Sequence, residues 1–443
     1  MALSLANESN DITLVDSDAS VLHEIQDRAD LRTVIGHAAH PSVLEQAGAR
    51  DANMVVALTN SDETNMVACQ VAYTLFHTPT KIARVRTTDY LDYADLFVQE
   101  ALPVDVLISP EYLVSTYVEN LIEHPGALQV LNFASGKVKL VAVALNPKSM
   151  LLGKRINAIF DDMKNMDTTL VAMYRDHKLL TIEQDVELEA GDELFFIASA
   201  AKAKSITTML QGLDKPNRRV IIAGGGNIGL QLAQILEPHY RVKLIERDSK
   251  RAKSLSETLD KTIVLQGDAA DESLLMEENI DSVDVFLALT NDDEANILSA
   301  MLAKRLGARK TMSLINRPSY IDLVESGMID IAISPQHVTI GALLAHIRRG
   351  DVVAVHSLRK GHAEAIEAVA HGDHKTSKVV GRKIKEIKLP DSASIGAIVR
   401  SEEVIIAEPD TLIESEDHVI IYLADKHKVS EVERLFQVSA TFI

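Results

Sequence analysis

Short apolar runs in the second half of the chain recur at 220–223, 242–245, 262–265, 283–289, 311–315 and 329–333, and predict six buried strands. Between them lie amphipathic stretches such as 231–236 and 295–306, which have helical spacing. Strand–helix alternation of this kind predicts a parallel, doubly wound sheet. Ser334-Pro335 then opens a helix that runs to about residue 349, with proline in its first turn and Gly350 as its stop. Beyond it the texture changes. Runs at 365–370, 395–399 and 404–407 alternate around turn residues, as do 138–144, 170–174 and 193–198 earlier in the chain. Each group predicts a small, β-rich α+β lobe.

The two halves repeat one another. Ala-Leu-Thr-Asn-Ser-Asp-Glu-Thr-Asn, starting at Ala57, returns as Ala-Leu-Thr-Asn-Asp-Asp-Glu-Ala-Asn from Ala288, an offset of 231 residues. Thr13-Leu-Val-Asp16 matches Lys243-Leu-Ile-Glu246, and Val104-Asp-Val-Leu-Ile-Ser-Pro110 matches Ile329-Asp-Ile-Ala-Ile-Ser-Pro335. Asp192-Glu-Leu-Phe-Phe-Ile-Ala198 matches Asp417-His-Val-Ile-Ile-Tyr-Leu423. Matches in one order along the chain imply a tandem duplication. The expected segments are 1–124, 126–212, 217–349 and 350–443, with Lys215-Pro216-Asn217 as the linker between units.

After the strand at 220–223 comes Gly224-Gly225-Gly226-Asn227-Ile228-Gly229, a G-x-G-x-x-G pattern set between a strand and a helix. Such glycines allow a tight turn and bring backbone amides to a pyrophosphate at the helix N-terminus. Glu246 ends the next strand, 20 residues after Gly226, where an acid holds the adenosine ribose. The acid favours NAD(H) over NADP(H). Arg247 reads either as a contact to a 2′-phosphate or adenine, or as an exposed surface arginine. Asp268-Ala269 is placed to meet the adenine edge. Thr290 and Asn291 close the fourth strand, at the edge where ligands bind in such sheets. Thr290-Asn291 also suits strand termination, with Asn291 or Asp292 as a helix cap. The fold class is therefore α/β: a duplicated Rossmann-like doubly wound parallel sheet, each copy followed by a small α+β lobe.

The first unit keeps Asp16, His37-Ala38, Thr59 and Asn60, but Met1 aligns with Gln231, inside the first helix of the second unit. The counterparts of the first strand and of the glycine loop fall outside residues 1–443. The expectation is an internal start, or a sequence short by about eleven residues, which the intact mass of the native gene product tests.

Charge narrows the function classes. Lys+Arg is 45 against Asp+Glu 64, a net charge of −19, which disfavours grip on nucleic-acid phosphates or anionic lipid. No apolar run approaches the ~18 residues of a membrane-spanning helix, and the first residues carry no basic n-region of a secretory signal. The single Cys69 excludes an internal disulfide. A soluble, cytoplasmic protein is expected. His371-Gly-Asp-His374 lacks a set of further ligands and reads as a solvated turn, with no metal site expected. His37 and His40 read as loop residues.

These motifs together resemble the TrkA family of potassium-uptake regulators, built from two tandem RCK (KTN) units. The resemblance covers the whole chain apart from the absent strand and loop. It rests on Asn10-Asp-Ile-Thr-Leu-Val-Asp16, Leu58-Thr-Asn-Ser-Asp-Glu-Thr-Asn-Met66, the glycine run from Gly224, Lys243-Leu-Ile-Glu-Arg-Asp248 and Glu364-Ala-Ile-Glu-Ala-Val-Ala-His-Gly-Asp373. It implies NAD-binding RCK_N lobes at 1–124 and 217–349, each followed by an RCK_C lobe. It also implies NAD(H) as ligand, with ATP and ADP as further candidates. A homo-oligomeric ring, usually a tetramer, would sit beneath a membrane potassium transporter subunit of the TrkH or TrkG type, on the inner face of the membrane. By position, the second-site contacts would be Gly224, Gly225, Gly226, Asn227, Ile228, Glu246, Thr290 and Asn291. The first-site contacts would be Asp16, Thr59, Asn60 and Arg84. Arg84 reads either as a phosphate-neutralising base at a sheet edge or as a surface arginine. The resemblance implies a regulator and not an enzyme.

Two rival classes remain. An NAD-dependent oxidoreductase needs a positioned acid or base against the nicotinamide, and neither small lobe shows one. A structural adaptor without ligand suits the first unit but not the glycine loop of the second.

Overall fold

The structure, a computed structural model, describes residues 2–6, 10–27, 31–164, 166–176, 178–180, 186–212, 217–325, 329–348, 351–358 and 362–438. The chain divides into two compact units, Met1–Leu113 and Val114–Ile443. Of the linker expected at 215–217, Lys215 and Pro216 lie outside the described residues, as does the helix stop expected at Gly350.

In the first unit, strands β1 (Thr13–Asp16) and β2 (Arg32–Ile35) pair in parallel. Strands β3 (Met54–Ala57), β4 (Thr80–Arg84) and β5 (Val106–Ile108) form a separate parallel sheet. Met66, Ala68 and Cys69 of the helix Asp62–Phe76 pack with Ala83, Val85 and Val104. Burial in that apolar setting pushes the Cys69 thiol up to about 12, which makes it a small core residue and not a nucleophile.

The second unit opens with the helical residues from Val114 onward and the first small lobe. Its strands are β6 (Ala127–Phe133), β7 (Val138–Ala144), β8 (Thr168–Arg175), β9 (Lys178–Leu180) and β10 (Glu193–Ser199), in the order β6-β7-β10-β8-β9. The nucleotide-type lobe follows, with β11 (Arg219–Ala223), β12 (Arg241–Glu246), β13 (Ile263–Gln266), β14 (Val285–Ala288), β15 (Lys310–Leu314) and β16 (Ile331–Ile333). All six are parallel, ordered β13-β12-β11-β14-β15-β16, the doubly wound arrangement that places a switch point at the end of β11. The counterpart of β11 in the first unit would fall between β1 and β3, where its sheet is divided.

The expectation of six buried strands fails at one edge. β14 is buried throughout, whereas β13 is an outermost strand and Ile263 is 55% exposed. An apolar run alone does not separate an edge strand from a central one.

The final lobe has β17 (Val352–Leu358), β18 (Ala363–Ala370), β19 (Ala393–Arg400), β20 (Glu403–Ile406) and β21 (Asp417–Leu423), ordered β17-β18-β21-β19-β20. This is the order of the first small lobe, strand for strand. The two lobes share a core: Leu140, Ala142, Phe195 and Ile197 pack with Ala365, Ala397, Ile420 and Tyr422. Gly396 permits this approach, since a Cβ there would lie 2.3 Å from Ile197 Cδ1. The Tyr174 and Tyr422 hydroxyls meet at 2.6 Å inside the interface, so neither is left unpaired in an apolar setting.

The helix Pro335–Ile347 starts as expected. Ser334 caps it by accepting the His337 amide, and proline occupies its first turn.

Candidate functional site

The glycine loop between β11 and the helix Asn227–Leu236 divides its labour by position. Gly224 has φ +107°, and a Cβ there would stand 2.9 Å from Thr290 Cγ2 and 3.0 Å from the Thr290 amide. Only glycine fits, in conformation and in space. At Gly229 a Cβ would be 1.9 Å from the Gly224 carbonyl oxygen, so the first helical turn rests directly on the loop. Gly225 is hemmed in by Leu255 and by Glu246.

Gly226 differs from all of these. A Cβ there would meet nothing within 4 Å. It is the N-terminal boundary residue of the helix, with no side-chain cap. The first amides of a helix have no partner within it, so those of Gly226, Asn227 and Ile228 gather at a helix start that is open to solvent. Gly226 and Asn227 are exposed, and Ile228 is half-buried. The helix dipole adds to an anion's attraction at this end. The residues present fit a pyrophosphate: backbone donors at an exposed helix start, and open space where a Cβ of residue 226 would stand.

Glu246 ends β12 beside this loop. Its Oε2 accepts the Gly225 amide at 2.9 Å and its Oε1 accepts the Asp248 amide at 2.8 Å. Each carboxylate oxygen keeps further acceptor capacity for ribose hydroxyls. Gly224, Gly225, Gly226, Glu246 and Thr290 are thus brought together at the switch point.

Thr290 and Asn291 part company. The Thr290 amide and hydroxyl both donate to Asn296 Oδ1, at 2.9 and 2.7 Å, and the Asn296 side chain in turn donates to Leu314 O at 3.0 Å. Asp292, not Asn291, caps the helix Asp293–Arg305 by accepting the Ala295 amide. Asp293 accepts the amides of Asn316 and Arg317, pinning the loop after β15. Asn291 stays exposed at the rim. The first unit repeats this scheme with Thr59 on Asn65 Oδ1, Ser61 as the cap, and Asp62 on the amides of Arg86 and Thr87. The polarity of the duplicated nine-residue segment is therefore largely used in tying strand to helix.

The first-unit candidates are more dispersed. Asp16 closes β1 and accepts the Asp18 amide at 2.9 Å. The Asn60 carbonyl accepts from Arg86. Arg84 ends β4, the middle strand of its sheet and not a lateral edge, and its guanidinium pairs with Glu111 at 2.9 Å. Arg247 is exposed, whereas Arg251, absent from the expected set, donates from Nε to the Gly225 carbonyl at 2.8 Å. No spacing from Arg247 marks it, since Arg247 precedes the helix Ser249–Thr258 in whose first turn Arg251 stands.

The His371-Gly-Asp-His374 segment forms a turn. His371 Nδ1 lies 2.7 Å from Glu416 Oε1, and Asp373 accepts the amides of Lys375 and Thr376. No helix among the described residues is long and apolar enough to cross a membrane.

Comparison with known proteins agrees with this architecture. The TrkA-N domain family matches residues 1–110 and 220–335, and the TrkA-C domain family matches 140–211 and 374–437. A Trk system potassium uptake protein TrkA of Vibrio alginolyticus is 56% identical over 444 aligned residues, covering 100% of this chain and 97% of that protein.

The chain belongs to the TrkA family.

A second TrkA relative, from Haemophilus influenzae, is 52% identical with the same coverage, 100% and 97%. Among solved structures, the GsuK RCK domain superposes with a TM-score of 0.60 at 17% identity, covering 98% of this chain and 91% of that one. The GsuK channel bound to NAD gives 0.59 at 17% identity, covering 98% and 76%. The tandem RCK fold of this TrkA-family chain is thereby established.

Proposed function

We propose that this TrkA-family chain is the nucleotide-binding regulatory subunit of a potassium uptake system and carries out no chemistry on its ligand. The observation that supports it most is the open helix start at Gly226, with Glu246 holding the Gly225 amide beside it. The ligand class is NAD(H), with ATP and ADP as competitors through the phosphate groups they share. When bound, the ligand supplies negative charge and ribose hydroxyls, and nothing in the account uses its redox chemistry. The amides of Gly226, Asn227 and Ile228 bind the pyrophosphate, and Glu246 orients the ribose. Thr290, with its hydroxyl tied to Asn296, presents its methyl group to the turn, and Asn291 offers an amide at the rim. Asp16, Thr59, Asn60 and Arg84 are the corresponding residues for a first-unit site.

Within the second unit the site has a mechanical neighbour. The helix Pro110–Glu123 presents Val114, Val118, Leu121 and Ile122 to a core that includes Leu232, Ala233 and Leu236 of the loop's helix. Ser115, fully buried, donates its hydroxyl to Ile228 O at 3.4 Å. That helix leads into β6 and so into the paired small lobes. A ligand that binds two arrangements of this joint unequally shifts their populations. We further propose a homo-tetrameric assembly at the inner face of the membrane, attached through a TrkH- or TrkG-type subunit. The net charge of −19 makes protein contacts the means of attachment, not lipid headgroups.

The test is potassium uptake in cells carrying the native chain or Gly226→Val, with co-purification of the membrane subunit. Retained co-purification with lost nucleotide control is expected. Oxidation of NADH by the purified chain in the presence of carbonyl compounds would instead support an oxidoreductase.

A further inference from the structure

Arg251 makes an unexpected contact in the second unit. It sits in the first turn of the helix Ser249–Thr258, half-buried, with its own amide capped by Asp248 at 2.8 Å. Its Nε donates to the Gly225 carbonyl oxygen at 2.8 Å. The amide of the same glycine donates to Glu246 Oε2 at 2.9 Å. Both backbone polar groups of Gly225 are therefore held by charged side chains.

The peptide joining Gly225 to Gly226 is planar and trans, so its C=O and N–H point in opposite directions. Holding the Gly225 carbonyl toward Arg251 turns the Gly226 N–H the other way. A bond between two glycines has little steric resistance to rotating as a unit. Rotated by half a turn, that peptide would present a carbonyl oxygen where an anion needs a donor.

We propose that Arg251 is a positioning residue that locks the 225–226 peptide with its N–H facing the pyrophosphate position. This rests on the nucleotide-binding reading of the loop. The lock acts on phosphate and not on the base or nicotinamide. In the first unit Asp18 caps the helix Ala19–Gln26 as Asp248 caps its counterpart, and Val21 stands where Arg251 does.

The test is calorimetric titration of the full chain, native, Arg251→Met and Arg251→Lys, with NADH, ADP and inorganic pyrophosphate at low and high salt. Melting temperature without ligand checks that each variant is folded. Arg251→Met is expected to weaken all three ligands by a common factor, about tenfold or more. Arg251→Lys, which keeps a donor, recovers most of that. The factor persists at high salt, because a held peptide is not screened. Unchanged affinities in Arg251→Met overturn the inference, as does a loss confined to NADH and ADP, which would mark a contact to adenosine. A factor that vanishes at high salt also overturns it, since that marks a purely Coulombic role. If the native chain binds none of the three, the nucleotide-binding reading itself fails. Native binding with an unaltered variant removes the lock alone.

Discussion

Gly226 and Gly229 are three residues apart and respond to opposite demands. Gly226 faces open space, so its glycine matters for what must approach from outside. Gly229 would place a Cβ 1.9 Å from a backbone oxygen, so its glycine matters for the fold itself. Gly226→Val is expected to leave the melting temperature near that of the native chain while nucleotide affinity falls at least a hundredfold, about 2.7 kcal/mol. Gly229→Ala is expected to lower the melting temperature sharply, because the strand–helix contact must open. A thermal-shift series with and without NADH separates the two. His124 gives a pH test at the same scale. It is 2% exposed, and burial holds its imidazole below the ordinary histidine range, with Lys139 and Lys204 acting the same way against Glu123 and the Asn120 carbonyl. Below an ordinary value of about 6.5 the unfolded chain takes up a proton that the folded chain refuses. His124 thus contributes stability that is present above that pH and lost as pH falls through its depressed value. His346 and His356 are depressed by burial in the same direction and steepen the fall. Melting temperature should drop between pH 7 and pH 5, and His124→Gln should flatten part of that slope.

At the scale of elements, the face-to-face packing of the small lobes turns on Gly396 in β19. Gly396→Val would push a side chain into Ile197 Cδ1 at 2.3 Å and Val171 Cγ1 at 3.1 Å. Overpacking of this kind costs about 1–3 kcal/mol, and chemical denaturation of the variant should show it. Nothing in the sequence marks Gly396 as a contact across lobes, because its neighbour is nearly two hundred residues away along the chain. The strands of the second nucleotide-type lobe were legible, since β11 and β14 carry continuous apolar runs. Four strands of the small lobes were not read as strands: β6, β9 and β17 are short or interrupted by polar residues, whereas in β21 residues 419–423 form an unbroken apolar run that only the repeat with 192–198 pointed to. The loop glycines and Glu246 were legible because their spacing carries the chemistry. Arg251 was not, because its role depends on which way one carbonyl points. Thr290 shows a third case. Its position at the strand end was clear, but its hydroxyl's commitment to Asn296 appears only once the helix is in place.

Over the whole molecule, duplication has kept the architecture while the chemistry has diverged. Arg84 with Glu111 in the first unit gives way to Leu314 and Gln336 at the matching places in the second. At the start of the small lobes Glu123 and Lys139 are matched by Arg348 and Glu364, the charges exchanged, and the latter pair closes to 2.7 Å in a buried setting. One complete glycine loop and one acid beside it lie within residues 1–443. The central claim is that this second-unit cradle binds a dinucleotide without transforming it. Isothermal titration of the purified chain with NADH, followed by recovery and mass analysis of the ligand, tests this most directly. The expected result is saturable binding, competition by ADP, loss of that binding in Gly226→Val and NADH recovered unchanged. Absence of binding by the native chain, equal binding by the variant, or recovery of NAD in place of NADH would contradict it.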